Sequence, residues 1–339
     1  MSKILVTGGL GYIGSHVVVE LQSNGFDVLI IDDLSNSSEQ TLDEISKITS
    51  IKPSFFKIDL KNKLLVKEFF KNQSQIDGVI HFAASKSVGV SLIDPIQYYE
   101  NNIISLINLL LEIEKLESPK LIFSSSCAIY GQVENLPITE NSPSKNIRSP
   151  YANTKKISEE IIMDLSKSNN SFNSIVLRYF NAIGSHKSVK IGENSVNKPQ
   201  NLVPLITRTA IGVYDELTIY GNDYSTPDGT PIRDYIHVVD LARAHVKAIN
   251  HLIEQKNTKN FDVFNLGTGK GTSVLEIIKL FEKISGLKLN YTFSSRRPGD
   301  VESAYADSTK ANKILGWVPE FSLLDGLLSA WEWEQNIHR

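Results

Sequence analysis

The stretch SPYANTKK, residues 149–156, sets Tyr151 four residues ahead of Lys155. A phenol beside an ammonium can pass a proton, because the cation favours the phenolate that a free tyrosine, titrating near ~10, does not reach at neutral pH. Ser149 suits a helix N-cap and Pro150 the first helical position, and Ile157, Ile161 and Leu165 follow at helical spacing. The sequence therefore predicts a helix that starts here, with both side chains on one face. The same pair also makes an ordinary solvated face, so the spacing needs support from the rest of the chain. FSSSCAIYG, residues 123–131, ends an apolar run with Ser126, a hydroxyl able to hold a substrate oxygen. TGGLGYIGSH, residues 7–16, carries Gly8, Gly9, Gly11 and Gly14. Glycine is needed where a backbone turns tightly, approaches a pyrophosphate, or lets a helix pack close to a strand.

These groups need a scaffold, and the first half of the chain reads as one. Short apolar runs at 4–9, 27–32, 54–59, 78–84, 121–126 and 174–184 alternate with helical patterns, the first helix from about Ser15. That rhythm predicts an α/β fold with a doubly wound parallel sheet of the Rossmann kind. The glycine turn lies between the first strand and first helix, where unpaired helix N–H groups can bind an anion. Asp32 ends the second strand, about 20 residues on, where a carboxylate accepts from adenosine ribose hydroxyls. Its charge would repel a 2′-phosphate, and no arginine stands beside it in IDDLSN, so NAD is the expected cofactor. Asp59 and Leu60 end another strand where adenine would lie, and Phe82, Ala83 and Lys86 follow the next one. Past residue 182 the rhythm gives way to turn-forming clusters. The expected division is a dinucleotide domain over 1–181, with a returning segment near 235–268, and a smaller mixed α/β substrate lobe over 182–339.

Composition excludes other classes. The 339 residues are 41% hydrophobic and 22% charged, with a formal net charge of -3, so there is no basic field for nucleic acid. No apolar stretch approaches the ~20 residues that span a bilayer. One cysteine forms no internal disulfide, and MSKILVTGG lacks the plan of a secretion signal, so a reduced, cytoplasmic protein is expected. No metal site is expected.

Together, the glycine turn after strand one, a serine ending a later strand and YxxxK on the next helix resemble the extended short-chain dehydrogenase/reductase family, across nearly the whole chain. The resemblance implies that Ser126, Tyr151 and Lys155 act together. Tyr151 takes the proton of an alcohol as hydride leaves its carbon, Ser126 bonds the same oxygen, and Lys155 supports the phenolate and binds the nicotinamide ribose. LRYFNAIG, YGNDYSTPDGTPIRDYIHVVDLA and RRPGD resemble the branch of that family that epimerises UDP-hexoses at C4. In that branch a tightly held NAD takes hydride from C4, the 4-keto sugar swings about its pyrophosphate, and hydride returns to the other face. By this match Tyr12, Ile13, Asn36, Asn101 and Phe180 touch the cofactor. Asn181, Asn201, Leu202, Thr218, Tyr220, Arg233, Arg297 and Asp300 hold the substrate together with Lys86. A guanidinium grips phosphate oxygens through paired hydrogen bonds, which suits Arg233 and Arg297. Ala304 stands where relatives confined to plain hexoses carry tyrosine, which implies room for N-acetylhexosamines. The resemblance further implies a homodimer built from two apolar helices of each subunit.

One departure is visible: Cys127 and Ala128 follow the serine, where the family usually has alanine and threonine. The same two residues bear on the nearest rival, a nucleotide-sugar 4,6-dehydratase. Related dehydratases carry an Asp-Glu pair there to eliminate water, and this chain has no carboxyl group at either position. A non-catalytic NAD-dependent binding protein on the same scaffold is the other alternative.

Overall fold

A computed structural model of the chain describes residues 1–73, 75–145, 147–194 and 199–338. Its strands are β1 (Lys3–Thr7), β2 (Asp27–Asp32), β3 (Ser54–Lys57), β4 (Gly78–His81), β5 (Lys120–Ser126), β6 (Asn173–Tyr179), β7 (Asn181–Ile183), β8 (Leu217–Tyr220), β9 (Ile232–His237), β10 (Phe261–Leu266), β11 (Gly271–Ser273), β12 (Tyr291–Ser294) and β13 (Ser303–Ala304). Seven of them form one all-parallel sheet in the order β10-β6-β5-β4-β1-β2-β3. Strand side chains alternate between faces, and both faces of this sheet are buried. Thus Ile4, Val6 and Ile30 enter one core with Val17, Leu21, Leu241 and Ile249. Leu5, Leu29 and Ile31 enter the other with Leu106, Leu109, Phe123 and Ile162. The order turns back between β1 and β4, and the crevice beyond the C-terminal ends of such strands is where ligands bind.

The run at 174–184 is not one strand. It breaks at Phe180: β6 stays in the large sheet, while β7 pairs in parallel with β9, Asn181 against Tyr235. Phe180 is buried in a separate small cluster with Ile129, Tyr130 and Ala304, which pulls the chain off the sheet. The first helix runs Tyr12–Ser23, three residues ahead of the expected start, because Gly11 rather than Ser15 is its N-cap. β10 returns beside β6, in register from Phe261–Ser174 to Leu266–Tyr179. Around β9 gather β11, β13 and β7, with β8 and β12 as a separate parallel pair. Ile183, Ile206, Ile219, Tyr235 and Phe281 form their core. Among the described residues no helix is long and apolar enough to cross a membrane.

Candidate active site

The glycine turn sits at the crossover of the sheet. Gly8 takes φ +71° and its N–H donates to Ile31 O at 2.7 Å. A Cβ there would lie 2.8 Å from Ala83 N, and one at Gly14 only 2.1 Å from Gly8 O. Neither position accepts a side chain, so loop, helix and the end of β4 stay in close contact. Gly11 brings no side chain to cap the helix Tyr12–Ser23, which leaves its first N–H groups to an anion. Asp32 Oδ2 accepts from Leu10 N at 3.0 Å, and its Oδ1 from Leu34 N at 3.0 Å and Ser37 Oγ at 2.7 Å. Turn and carboxylate are thereby fixed to one another, and this cradle fits a dinucleotide. Asn36 is exposed in the turn just after Asp32. Asp59 is spent on its own turn, accepting from Lys61 N at 2.9 Å, and Leu60 is buried. Asn101 Nδ2 donates to Ser85 Oγ at 3.1 Å.

Ser149 caps the helix Pro150–Ser168 by accepting from Ala152 N at 3.2 Å. Tyr151 and Ser126 are hydrogen-bonded, and Ser126 Oγ also accepts from Ala128 N at 3.2 Å. Lys155 Nζ donates to Ser124 O at 2.8 Å and lies 4.9 Å from the Phe123 ring centroid. In the protein alone burial dominates Tyr151: desolvation and the neighbouring Tyr179 hold its phenol well above the ordinary value, and only the Ser126 bond works the other way. Burial also pushes Lys155 down to about 8, against the pull of Glu159. The amine is turned toward the strand carbonyl, so the phenol of the protein alone stays protonated. Cys127 is raised to about 12 by burial, which keeps it a thiol and unsuited to nucleophilic attack.

On the substrate side, Arg297 Nε and Nη2 each donate to Asp300 at 3.2 Å, and Arg233 Nη2 lies 3.6 Å from Asp300 Oδ1. Arg297 and Asp300 line a cavity of about 490 Å³ together with Arg148, Tyr224 and Arg296 among others, and Arg233 reaches it through Asp300. Thr218 and Tyr220 lie on the outward face of β8, and the Arg297 guanidinium lies 5.8 Å from the Tyr220 ring. Asn181 is exposed on β7, and Leu202 opens the helix Leu202–Ala210. Ala304 is 5% exposed on β13 beside Arg233, packed with Phe180 rather than lining the cavity.

Three residues escaped sequence reasoning. Glu193 accepts from Lys86 Nζ at 3.0 Å and Asn201 Nδ2 at 2.8 Å, joining the loop after β4 to the start of the helix Leu202–Ala210. Asn102, not only Asn101, ties the loop after β4 to the catalytic helix, accepting from Ser85 N at 2.8 Å and donating to Thr154 Oγ1 at 3.0 Å. Glu159 lies buried four residues past Lys155, a spacing that could have flagged it.

A parallel doubly wound sheet, a glycine turn at its crossover and a serine-tyrosine-lysine set beside it define an enzyme of the extended short-chain dehydrogenase/reductase class. A family model described as GDP-mannose 4,6 dehydratase matches residues 5–329. The UDP-glucose 4-epimerase of Bacillus subtilis (strain 168) is 44% identical over 333 residues, 98% of this chain and 97% of that protein. The crystal structure of UDP-glucose 4-epimerase from Bifidobacterium longum in complex with NAD⁺ and UDP superposes with a TM-score of 0.95 at 42% identity, covering 99% of this chain and 98% of the other. That of UDP-glucose-4-epimerase from Stenotrophomonas maltophila, with bound NAD and formylated UDP-arabinopyranose, also gives 0.95, at 40% identity over 100% and 99% of the two chains. The chain belongs to the UDP-glucose 4-epimerase family, within the wider family that this model describes.

Proposed function

We propose that this chain interconverts UDP-glucose and UDP-galactose by epimerisation at C4, with NAD as its cofactor. The observation that carries this reading is the hydrogen-bonded Ser126–Tyr151 pair with the Lys155 ammonium buried behind it, beside the glycine turn. NAD, when bound, supplies a hydride acceptor that becomes the donor in the second half of the cycle. Gly8, Gly11, Tyr12, Ile13 and Gly14 would hold its pyrophosphate, Asp32 its adenosine ribose, and Lys155 its nicotinamide ribose. Phe82, Ala83 and Phe180 would wall the cleft. Tyr151 accepts the C4 hydroxyl proton and returns it, Ser126 orients that oxygen, and the buried ammonium stabilises the phenolate in between.

Arg233 and Arg297, which share Asp300 between them, would turn their remaining N–H groups to the diphosphate, and Asp300 would accept from a ribose hydroxyl. Lys86 and Asn201, both bonded to Glu193, would hold the substrate from that junction. The first 181 residues with the segment near 235–268 would serve the cofactor, and 182–339 the UDP-sugar. Dehydration is disfavoured because Cys127 and Ala128 bring no carboxyl group beside Ser126. The small residue at Ala304, where plain-hexose relatives carry tyrosine, supports use of the N-acetylated pair as well, through a wall that packs on Phe180 and is not crowded by a phenol. Exposed apolar side chains on the helices of residues 88–113 support a homodimer, and the single cysteine a cytoplasmic setting.

The test is incubation of the purified protein with UDP-galactose and no added cofactor. Formation of UDP-glucose is expected. A 4-keto-6-deoxy product would replace the reading with dehydration, and no product would leave a binding protein.

A further inference from the structure

Glu159 and Arg178 reach neither sugar nor cofactor in the assignment above, yet they form a buried ion pair directly behind the trio. Their side chains are 7% and 13% exposed. Arg178 Nε donates to Glu159 Oε1 at 3.1 Å and its Nη2 to Oε2, while Ser125 Oγ donates to Oε1. Nη1 of the same guanidinium donates to Tyr130 OH at 2.9 Å, which fixes its plane. Glu159 follows Lys155 by one helical turn, and the residues that hold the two groups, Ser124 and Ser125, are adjacent on β5. The carboxylate is thus close to the ammonium, but Lys155 Nζ donates to the Ser124 carbonyl while Arg178 and Ser125 occupy Glu159.

The other groups facing Lys155 are Tyr151 on its own helix, the Phe123 ring on β5, His81 on β4, and Tyr179 on β6, whose hydroxyl bonds Ser124 Oγ. Burial lowers His81 to about 3 and raises Tyr179 to about 12, so both are neutral at pH 7. Among these described groups Glu159 is the anion. Paired directly with Lys155, it would quench the cation that a phenolate needs. Held off by Arg178 and Ser125, it keeps the amine protonated in a dry site without neutralising it.

We propose that Glu159, clamped by Arg178 and Ser125, is a positioning residue that sets the charge state of Lys155 and through it the proton affinity of Tyr151. This rests on the assignment of Tyr151 and Lys155 to the reaction.

Glu159→Gln alone strands a buried guanidinium, so the decisive protein is the double variant Glu159→Gln/Arg178→Met, which removes both charges and keeps the volume. Two readouts are taken on the NAD-loaded proteins: the pH profile of kcat, and the ¹³Cε resonance of Lys155, assigned by its loss in Lys155→Arg. In the double variant the Lys155 midpoint and the alkaline limb of kcat are expected to move down together by about one pH unit. Glu159→Asp, which keeps the charge, is expected to leave both near wild type even if kcat falls. A lower kcat with an unshifted midpoint, or a double variant that does not fold while Glu159→Asp shifts the midpoint like a neutral residue, overturns the proposal. Tyr151→Phe run alongside separates the two levels: if it turns over normally the assignment of the trio falls, whereas if it is dead and the midpoint is unmoved only this inference falls.

Discussion

Three consecutive serines on β5 carry three different duties. Ser124 bonds Tyr179 through its hydroxyl and Lys155 through its carbonyl, Ser125 bonds Glu159, and Ser126 bonds Tyr151. Within three residues the strand thus reaches both β6 and the helix Pro150–Ser168. At this scale Tyr151→Phe removes only one oxygen from a buried ring. It is expected to fold and retain NAD but to lose at least ~10³ of kcat, the upper range of what a positioned acid–base group contributes. Ordinary turnover in a coupled UDP-glucose assay would sink the proton-transfer role. Ala304 poses a subtler question. It is 5% exposed and packs with Phe180, so a phenol placed there must push toward the site rather than into free space. Ala304→Tyr is expected to cut turnover of UDP-GlcNAc at least ~10-fold while sparing UDP-glucose, since one substituent's fit is worth ~1–3 kcal/mol. If both pairs respond alike, Ala304 does not select between them.

The helix Pro150–Ser168 buries a lysine that burial alone would prefer neutral. Lys155 is lowered to about 8 from the ordinary lysine value of 10.5. Between those two pH values the unfolded chain binds the extra proton, so stability attributable to this residue rises with pH across that window. The cost of the charge is therefore full below about 8 and gone above 10.5. Lys155→Met should then stabilise the fold at pH 7 by on the order of 2 kcal/mol, while abolishing activity. Urea denaturation at pH 7 and near pH 10 measures it, and an equal gain at both values contradicts the assignment. That helix was legible in the sequence because its cap, its proline and its apolar spacing are local features. So were β2 and the glycine turn, whose patterns close within a dozen residues. The role of Glu193 was not, because Lys86 lies 107 positions away and only the folded cleft brings them together. The surroundings of Tyr151 were illegible for the same reason: the spacing shows a lysine nearby, but not that its amine turns to Ser124 and that the ring is desolvated.

Across the whole molecule, one strand pair and one helix couple the large sheet to the sheet around β9. β7 leaves Phe180 for β9, and the helix Val238–Ile253 then packs back on the large sheet with Leu241 and Ile249 in its core. A cleft braced from both sides suits a cofactor that must not leave between half-reactions. Bound NAD is therefore expected to copurify, and denaturing the protein should release NAD in near-equimolar amount. Finding chiefly the 2′-phosphorylated dinucleotide would contradict the role given to Asp32, whose negative charge would repel that phosphate.

The outer surface carries the last expectation. Ile93 is 84% exposed, Ile96 73%, Ile104 42% and Ile107 40%, on a chain of helical segments running Val88–Ile93, Pro95–Tyr99, Glu100–Ile104 and Ser105–Ile113. Ile93 and Ile96 flank the break at Asp94, and Ile104 and Ile107 span the junction of the last two segments, an exposed apolar stripe that water would not select. The same segments pack inward on the catalytic helix, Asn153 Nδ2 donating to Tyr99 OH at 2.7 Å. A second copy of the chain laid antiparallel would bury the stripe and stiffen the helix that carries Tyr151 and Lys155. Light scattering of the wild type at micromolar concentration should give twice the 37.8 kDa chain mass. Ile96→Asp, which sets a charge in the middle of the stripe but touches no site residue, should give the single-chain mass and a lower melting temperature. A wild type that scatters as one chain would remove the dimer, and a dimer untouched by Ile96→Asp would move its interface elsewhere.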